Sequence, residues 1–274
     1  MFDFNVHLPC RKGNDVGGRL ADEATMSLDE LKRCYDSHRP ELGKATMGAN
    51  FMLFNEEYPF GSHILPQWIS EVRRDWTRAS FTQLLDFRRD RVDIALDYLR
   101  DSRVDGIKFH SYVQKIGESD FSLVLVAAKA AAERGFFICV DASYGTTRLY
   151  DHDNLRLAAL LIREIRNVPI VILHSGGARC WEAMLLALEG PNVYLETSFT
   201  LPYYRGSSIE SDLSFIYRKI GINKVLYASD FPYVSLEEST KSISEFFDRF
   251  EFSHGERSAI LSENAYALLD RLNR

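Results

Sequence analysis

Seven side chains of the kinds that move protons or hold metals recur at one place in successive sequence units. Asn5 and His7 lie two residues apart in Phe-Asp-Phe-Asn-Val-His-Leu, and Lys108 and His110 keep the same spacing in Gly-Ile-Lys-Phe-His. Asp141 follows the apolar run Phe-Phe-Ile-Cys-Val, and His174 follows Pro-Ile-Val-Ile-Leu. Asp230 follows Leu-Tyr-Ala-Ser. Side chains two apart in a strand share a face, so Asp3, Asn5 and His7 are expected together, as are Lys108 and His110. Taken singly, each has a structural explanation. A strand-end His is often simply hydrogen-bonded in place, Asp230 could cap the next helix, and Lys108 could pair internally with Glu196. As a set they are harder to place in a passive core, because buried charge is costly unless paired or coordinated. Imidazoles and carboxylates meeting at one point are the ligand types of Zn²⁺ or a similar divalent ion. Such an ion lowers the pKa of bound water towards about 7 and polarises a carbonyl. A carboxylate beside it accepts the water's proton. The chemistry implied is metal-assisted hydrolysis.

These residues need elements that bring their ends together. Eight short β-branched or aromatic runs read as strands: 2–8, 48–54, 81–87, 104–110, 136–142, 169–174, 192–199 and 224–229. Helical spacing falls between them at 91–101, 120–134, 154–166, 181–188, 208–220 and 236–250, with a closing helix near 256–272. The stretch 55–80 reads as a long loop with a short helix. Runs such as Phe-Phe-Ile-Cys-Val are apolar without alternation, the pattern of a parallel sheet buried on both faces. Eight βα units in 274 residues predict an α/β fold. We expect a (β/α)8 TIM barrel, distorted in its first two units, with a C-terminal helix, spanning 1–274 as a single domain. In such a barrel the chemistry gathers at the C-terminal strand ends. A dinucleotide-binding open sheet would favour Gly-x-Gly-x-x-Gly after a strand. The segment Gly13–Gly18 has neither that spacing nor a Lys-Ser/Thr ending.

Composition removes other classes. Hydrophobic residues make up 46% and charged residues 26%, the formal net charge is −6, and no long basic run occurs. Nucleic-acid binding, which leaves a basic footprint, is not expected. Nor is a membrane span, since no uninterrupted apolar stretch approaches about 18 residues. The opening residues show no signal-peptide pattern, and the four cysteines show no Cys-x-x-Cys spacing. The expected address is cytoplasmic.

The order of motifs resembles the amidohydrolase superfamily, specifically the amidohydrolase-2 branch of metal-dependent hydrolases and decarboxylases. Ile-Leu-His-Ser-Gly-Gly at 172–177, Val-Leu-Tyr-Ala-Ser-Asp-Phe-Pro-Tyr at 225–233 and Gly-Ile-Lys-Phe-His at 106–110 carry the resemblance, with Ser-Glu-Asn-Ala-Tyr-Ala-Leu-Leu at 262–269. It implies metal ligands at His7, His174 and Asp230, with Asp230 also handling the water proton. Two family positions depart. Asn5 stands where the first His of His-x-His is usual, and Asp141 stands where the fifth strand usually supplies His. A centre of His7, Asp141, His174 and Asp230 with Asn5 peripheral implies Zn²⁺ or Mn²⁺, held less tightly than by the usual set. The alternative is a site that has lost its metal and works through charged side chains. Asp230, His174, Lys108 and His110 are the candidate catalytic residues. Lys108 or His110 is expected to contact a substrate carboxylate, or to polarise a carbonyl where no metal sits.

Basic and aromatic residues after the strands, Arg11, Tyr144, Arg179 and Tyr203 among them, suit a small anionic substrate, with or without a ring. Three functions stay open: a metal-dependent hydrolase of an amide, lactone or ester; a metal-independent lactonase or a decarboxylase; and a catalytically degenerate barrel that binds a metabolite or partner. The expected partner is a small molecule, and a homo-oligomer is left open.

Overall fold

Parallel strands cannot be joined by tight turns, so each must be followed by a crossover that covers the sheet. The computed structural model describes residues 1–8, 27–55, 62–76, 78–144 and 147–272. The strands are β1 (Phe2–His7), β2 (Gly48–Leu53), β3 (Arg78–Leu84), β4 (Gly106–Phe109), β5 (Phe137–Val140), β6 (Ile170–Ile172), β7 (Val193–Glu196) and β8 (Val225–Leu226). They pair in chain order, each parallel to the next. The chain after β8 returns to β1. Phe4 N donates to Tyr227 O at 3.0 Å, Asp230 N to Asn5 O at 3.0 Å and His7 N to Phe231 O at 2.7 Å. The result is a nearly closed (β/α)8 TIM barrel.

Around it run α1 (Leu28–Ala45), α2 (Ile64–Asp75), α3 (Val92–Asp101), α4 (Phe121–Glu133), α5 (Asn154–Glu164), α6 (Cys180–Glu189), α7 (Ser208–Ile220), α8 (Leu236–Arg249) and α9 (Asn264–Leu272). One differs from the sequence expectation. Helix α1 was not expected, since Pro40 lies inside it and only Leu31, Cys34, Tyr35 and Leu42 are buried. Its start is fixed by a reciprocal cap: Glu30 N donates to Ser27 Oγ and Ser27 N to Glu30 Oε2. Helix α2 is the short helix expected within 55–80, burying Leu65, Trp68, Ile69 and Val72. No described helix is long and apolar enough to cross a membrane.

The core has two layers with different tasks. Alternate strand residues such as Phe51, Phe81, Ile107 and Leu195 face the helices in an outer shell. Phe2, Phe4, Met52, Phe137, Cys139, Val171, Tyr194 and Leu226 fill the barrel interior and meet Ala265, Leu268 and Leu269 of α9. Gly106 makes room here, since a Cβ on it would stand 2.3 Å from the Phe137 ring. The closing helical run begins at His254, passes through one wide turn at Ala259–Glu263 and continues as α9. Asn264 locks it to the barrel, its Nδ2 donating to Ile222 O and Val225 O, each at 2.7 Å. One end of the interior is thus plugged with apolar side chains, and polar chemistry is confined to the other.

The first strand corrects one expectation. A register shift between Asp3 and Val6 interrupts its pairing with β2 and reverses the alternation. Phe2 and Phe4 face the interior before the shift, whereas Val6 and Leu8 face the outer shell after it. Asn5 and His7 therefore point into the cup, while Asp3 turns to the β1–β8 seam. There it accepts from Ser229 N at 2.9 Å and Ser229 Oγ at 2.5 Å. Burial raises the Asp3 carboxyl to about 7, against the pull of those bonds.

Candidate functional site

Continuing the pleat past the apolar layer puts polar side chains from six of the eight strand ends into the cup. Lys108 follows Gly106 on β4, Asp141 follows Cys139 beyond β5, and Glu196 follows Tyr194 on β7. Asn5, His7, Lys108, His110, Asp141, His174, Glu196, Ser198 and Asp230 are all buried. The structure brings together every candidate catalytic and metal-ligating residue named from sequence.

On the β5–β7 side the groups are fully engaged with one another. His174 Nε2 lies 2.9 Å from Asp141 Oδ2, and His174 Nδ1 lies 2.9 Å from Ser198 Oγ. Ser198 Oγ donates to Glu196 Oε1 at 2.7 Å. Glu196 also accepts from the backbone N–H of His174 and of Ser198, each at 2.6 Å. Burial alone would lower the His174 pKa, but Asp141 and Glu196 outweigh it and raise the imidazole to about 9. The ring is then an imidazolium that donates from both nitrogens. Burial likewise works against the Asp141 carboxylate, yet His110, His174 and Lys108 hold it well below the usual range.

The backbone here is as unusual as the side chains. His174 and Ser175 have φ of 60° and 48°, in the left-handed region that costs non-glycine residues strain. Gly176 and Gly177 continue the turn, and a Cβ on Gly177 would collide with Ser143 O at 1.8 Å. Ser175 Oγ holds the turn by donating to Glu196 O at 2.6 Å. The Ser-Gly-Gly sequence thus lets the chain double back against the β5 loop and aim His174 across the cup.

On the β1, β4 and β8 side contacts are longer and valences are left over. Lys108 Nζ lies 3.3 Å from His7 Nε2 and 5.0 Å from the centre of the Phe54 ring. No carboxylate of the described residues pairs with it. His7 Nε2 is 3.7 Å from Asp230 Oδ1, and Asn5 Nδ2 reaches Ser198 Oγ at 3.2 Å and Asp230 Oδ1 at 3.3 Å. Asn5 Oδ1 and His110 Nδ1 have no hydrogen-bond partner among the described residues. Burial, with Lys108 and the other imidazoles, lowers His110 to about 3 and keeps it neutral; only Asp141, 3.5 Å from its Nε2, pulls the other way. Burial raises the Asp230 carboxyl above its ordinary value, opposed by His174, His7 and Lys108. Asp230 itself sits at φ 64°.

Aromatic rings flank this open side. Phe54 and Tyr233 stand edge-on to His7, each at 5.2 Å, and Tyr112 stands 4.3 Å from His110. Across the cup, Phe199 packs 5.8 Å from His174 and stacks on Tyr203 at 4.6 Å. Tyr203, expected to bind substrate, is 58% exposed at the outer end of that stack. Arg179 and Tyr144, also expected at the substrate, are tied to each other and to Asp153, with bonds of 3.0 Å throughout. Arg11 lies outside the described residues. Ser198 was missed from sequence, although it stands two residues after Glu196 and so shares its face. Phe54, Tyr112 and Tyr233 were missed because isolated aromatics near strand ends carry no motif.

Comparison with known proteins decides the family. The family model described as Amidohydrolase matches residues 69–271. The chain belongs to the amidohydrolase family. No curated protein matches it. Among solved structures, it is similar to a zinc-bound amidohydrolase from Burkholderia multivorans, at 16% identity over 98% of both chains and a TM-score of 0.69. A Pseudomonas putida protein described as a 2-pyrone-4,6-dicarboxylic acid hydrolase aligns at 18% identity, over 98% of this chain and 97% of that one, with a TM-score of 0.63. A manganese-bound dihydroxybenzoic acid decarboxylase from Polaromonas sp. JS666 aligns at 13% identity, over 100% and 97%, with a TM-score of 0.60. At these identities the likeness establishes the shared barrel.

Zinc and manganese in two of those barrels raise the question of whether this amidohydrolase cup fits a divalent ion. Its donor set does not. Both ring nitrogens of His174 are already bonded, to Asp141 and to Ser198. His7 Nε2 faces a lysine ammonium, and Asn5 offers its NH₂ rather than its carbonyl to Asp230. Among the described residues no group of three or more His, Cys, Asp or Glu converges as a metal-holding set. The residues expected as ligands are neighbours, but their donor atoms serve one another.

Proposed function

We propose that this amidohydrolase hydrolyses an amide, lactone or ester of a small anionic metabolite, with Asp230 as the general base. The observation that carries this reading is the placement of Asp230. It is a buried carboxylate whose pKa burial raises above its ordinary value, set on a positive-φ turn and within 3.7 Å of His7. Raising a carboxylate's pKa strengthens it as a proton acceptor. Water held by Asp230 gives it a proton and attacks the carbonyl carbon, and negative charge grows on the carbonyl oxygen. The Lys108 ammonium stabilises that charge, as preorganised donors in dry sites do. When the tetrahedral intermediate collapses, the scissile C–O or C–N bond breaks and Asp230 returns the proton to the leaving group. Neutral His110, with Nδ1 open, accepts a hydrogen bond from the substrate, and Phe54, Tyr112 and Tyr233 suit a planar ring.

The same aromatic flank favours decarboxylation of a ring acid as the second reading. A panel of carboxylated lactones, esters and amides, assayed by chromatographic detection of the product acid, tests the first. Turnover with at least one, lowered about 10²- to 10⁴-fold in kcat by Asp230→Asn, is the expected result. Full activity in that variant overturns the base assignment, and CO₂ release from ring acids without hydrolysis replaces the reaction.

A further inference from the structure

We infer that the Lys108 ammonium is the built-in cation of the cup: it takes the place a divalent ion would need beside His7 and Asp230, and receives the substrate's anionic oxygen. The argument begins with valence. A neutral imidazole nitrogen has one lone pair, and that of His7 Nε2 is directed at Lys108 Nζ, 3.3 Å away. A divalent ion binding the same nitrogen must either displace the ammonium or share a lone pair with it, and two cations at such separation repel strongly in a low-dielectric interior. The lysine has little room to withdraw. It is 1% exposed, its stem is buried on β4, and its head rests against the Phe54 ring at 5.0 Å.

Lys108 also keeps hydrogen-bond donors to spare. Ammonium carries three N–H donors, and the described residues supply Lys108 with one hydrogen-bond partner and no carboxylate. Buried charges are ordinarily paired. The Lys108 charge acts on Asp141 and Asp230, but the hydrogen bonds of the nearby carboxylates go elsewhere: Asp141 to His174, Asp230 to Asn5, and Glu196 to Ser198 and the His174 backbone. The remaining donors of Lys108 are thus available to an incoming carboxylate, carbonyl or oxyanion. Lysine acts as a point charge for such groups, which is the service a Lewis-acidic metal supplies in hydrolysis.

This deepens the proposed function only in taking the cup as the reaction site, and its test does not require turnover. Purified full-length protein is dialysed against zinc chloride or manganese chloride and its bound metal measured, alongside Lys108→Met. The wild type is expected to hold no stoichiometric metal. Lys108→Met takes the ammonium away from His7 Nε2 and is expected to gain zinc affinity by roughly 10- to 100-fold, the range over which neighbours tune ligand sets. Stoichiometric tight zinc in the wild type overturns the inference, as does a folded Lys108→Met variant with unchanged affinity. Should that variant fail to fold, ¹⁵N NMR of the wild-type histidines decides. A His7 Nε2 resonance unmoved by added zinc supports the ammonium as resident, and a coordination shift overturns it. Failure of the hydrolysis assay leaves these readouts intact, so the two proposals fall separately.

Discussion

The two halves of the cup are built from the same kinds of residue and behave differently. On the β5–β7 half, Asp141, His174, Ser198 and Glu196 satisfy one another through bonds of 2.6–2.9 Å. On the β1, β4 and β8 half, Asn5, His7, Lys108 and Asp230 stand 3.2–3.7 Å from their neighbours. That half, with His110, also keeps unpartnered polar atoms. A saturated polar network rigidifies what it contains, whereas a half-satisfied one is paid for in stability and retained for binding. Histidine is present in both halves, so residue type alone does not say which half a side chain serves. Its hydrogen-bond partners do.

Substitutions sharpen this contrast in decreasing order of effect. Glu196→Ala removes the acceptor of two backbone N–H groups and one hydroxyl, and is expected to destabilise the fold by about 3–5 kcal/mol in urea denaturation. Asp230→Asn, on the open half, is expected to leave stability unchanged or slightly raised while lowering kcat about 10²- to 10⁴-fold. A loss at Asp230 as large as that at Glu196 would erase the distinction.

Next in size is a pH effect at the seam. Asp3 is raised to about 7 in the fold from an ordinary 3.8, so its neutral form is the one the fold prefers. Its contribution is fully present below pH 3.8 and is lost as pH rises through about 7. Asp3→Asn fixes the uncharged state, and is expected to remove about 2–3 kcal/mol of the stability decline between about pH 5 and about pH 8. His174, raised to about 9 from 6.5, adds a loss of the same sign above pH 6.5 in both proteins, so the difference between them isolates Asp3. A variant that keeps the wild-type slope would place the titration elsewhere. Smallest is Tyr203→Ala at the exposed end of the aromatic stack. It is expected to raise KM by about 3- to 10-fold with kcat unchanged, as loss of uniform binding does. A fall in kcat instead would move Tyr203 inward, to the reacting atoms.

Much of this architecture was legible in the residues, for definite reasons. Several buried parallel strands write themselves as unbroken apolar runs, β-branched and aromatic residues marked the others, and the polar residues that end five of the eight marked the cup. His174 and Asp230 stood out because glycine or proline follows them where the chain must turn. Helix α1 did not, because its buried stripe is thin and Pro40 reads as a break. The role of Asp3 was hidden by the register shift, since alternation predicts a side chain's face only while the pleat is continuous. The mutual bonding of the expected ligands was hidden for another reason. Spacing tells which residues meet at a strand end, but the direction of a ring nitrogen depends on partners far along the chain, such as Ser198 for His174.

The seam between β1 and β8 has a bearing on how the protein comes into being. Asn5 and Asp230 face each other across 225 residues of chain, so a ribosome emits one long before the other. Until the segment after β8 arrives, β1 has one unpaired edge, the exposed condition that sheets otherwise guard against. The event that removes that edge also creates the reaction centre. Contacts of such long separation form late and slowly. An assembling chain therefore carries most of its barrel before it carries any capacity to react, and regained turnover is a clock for the final closure.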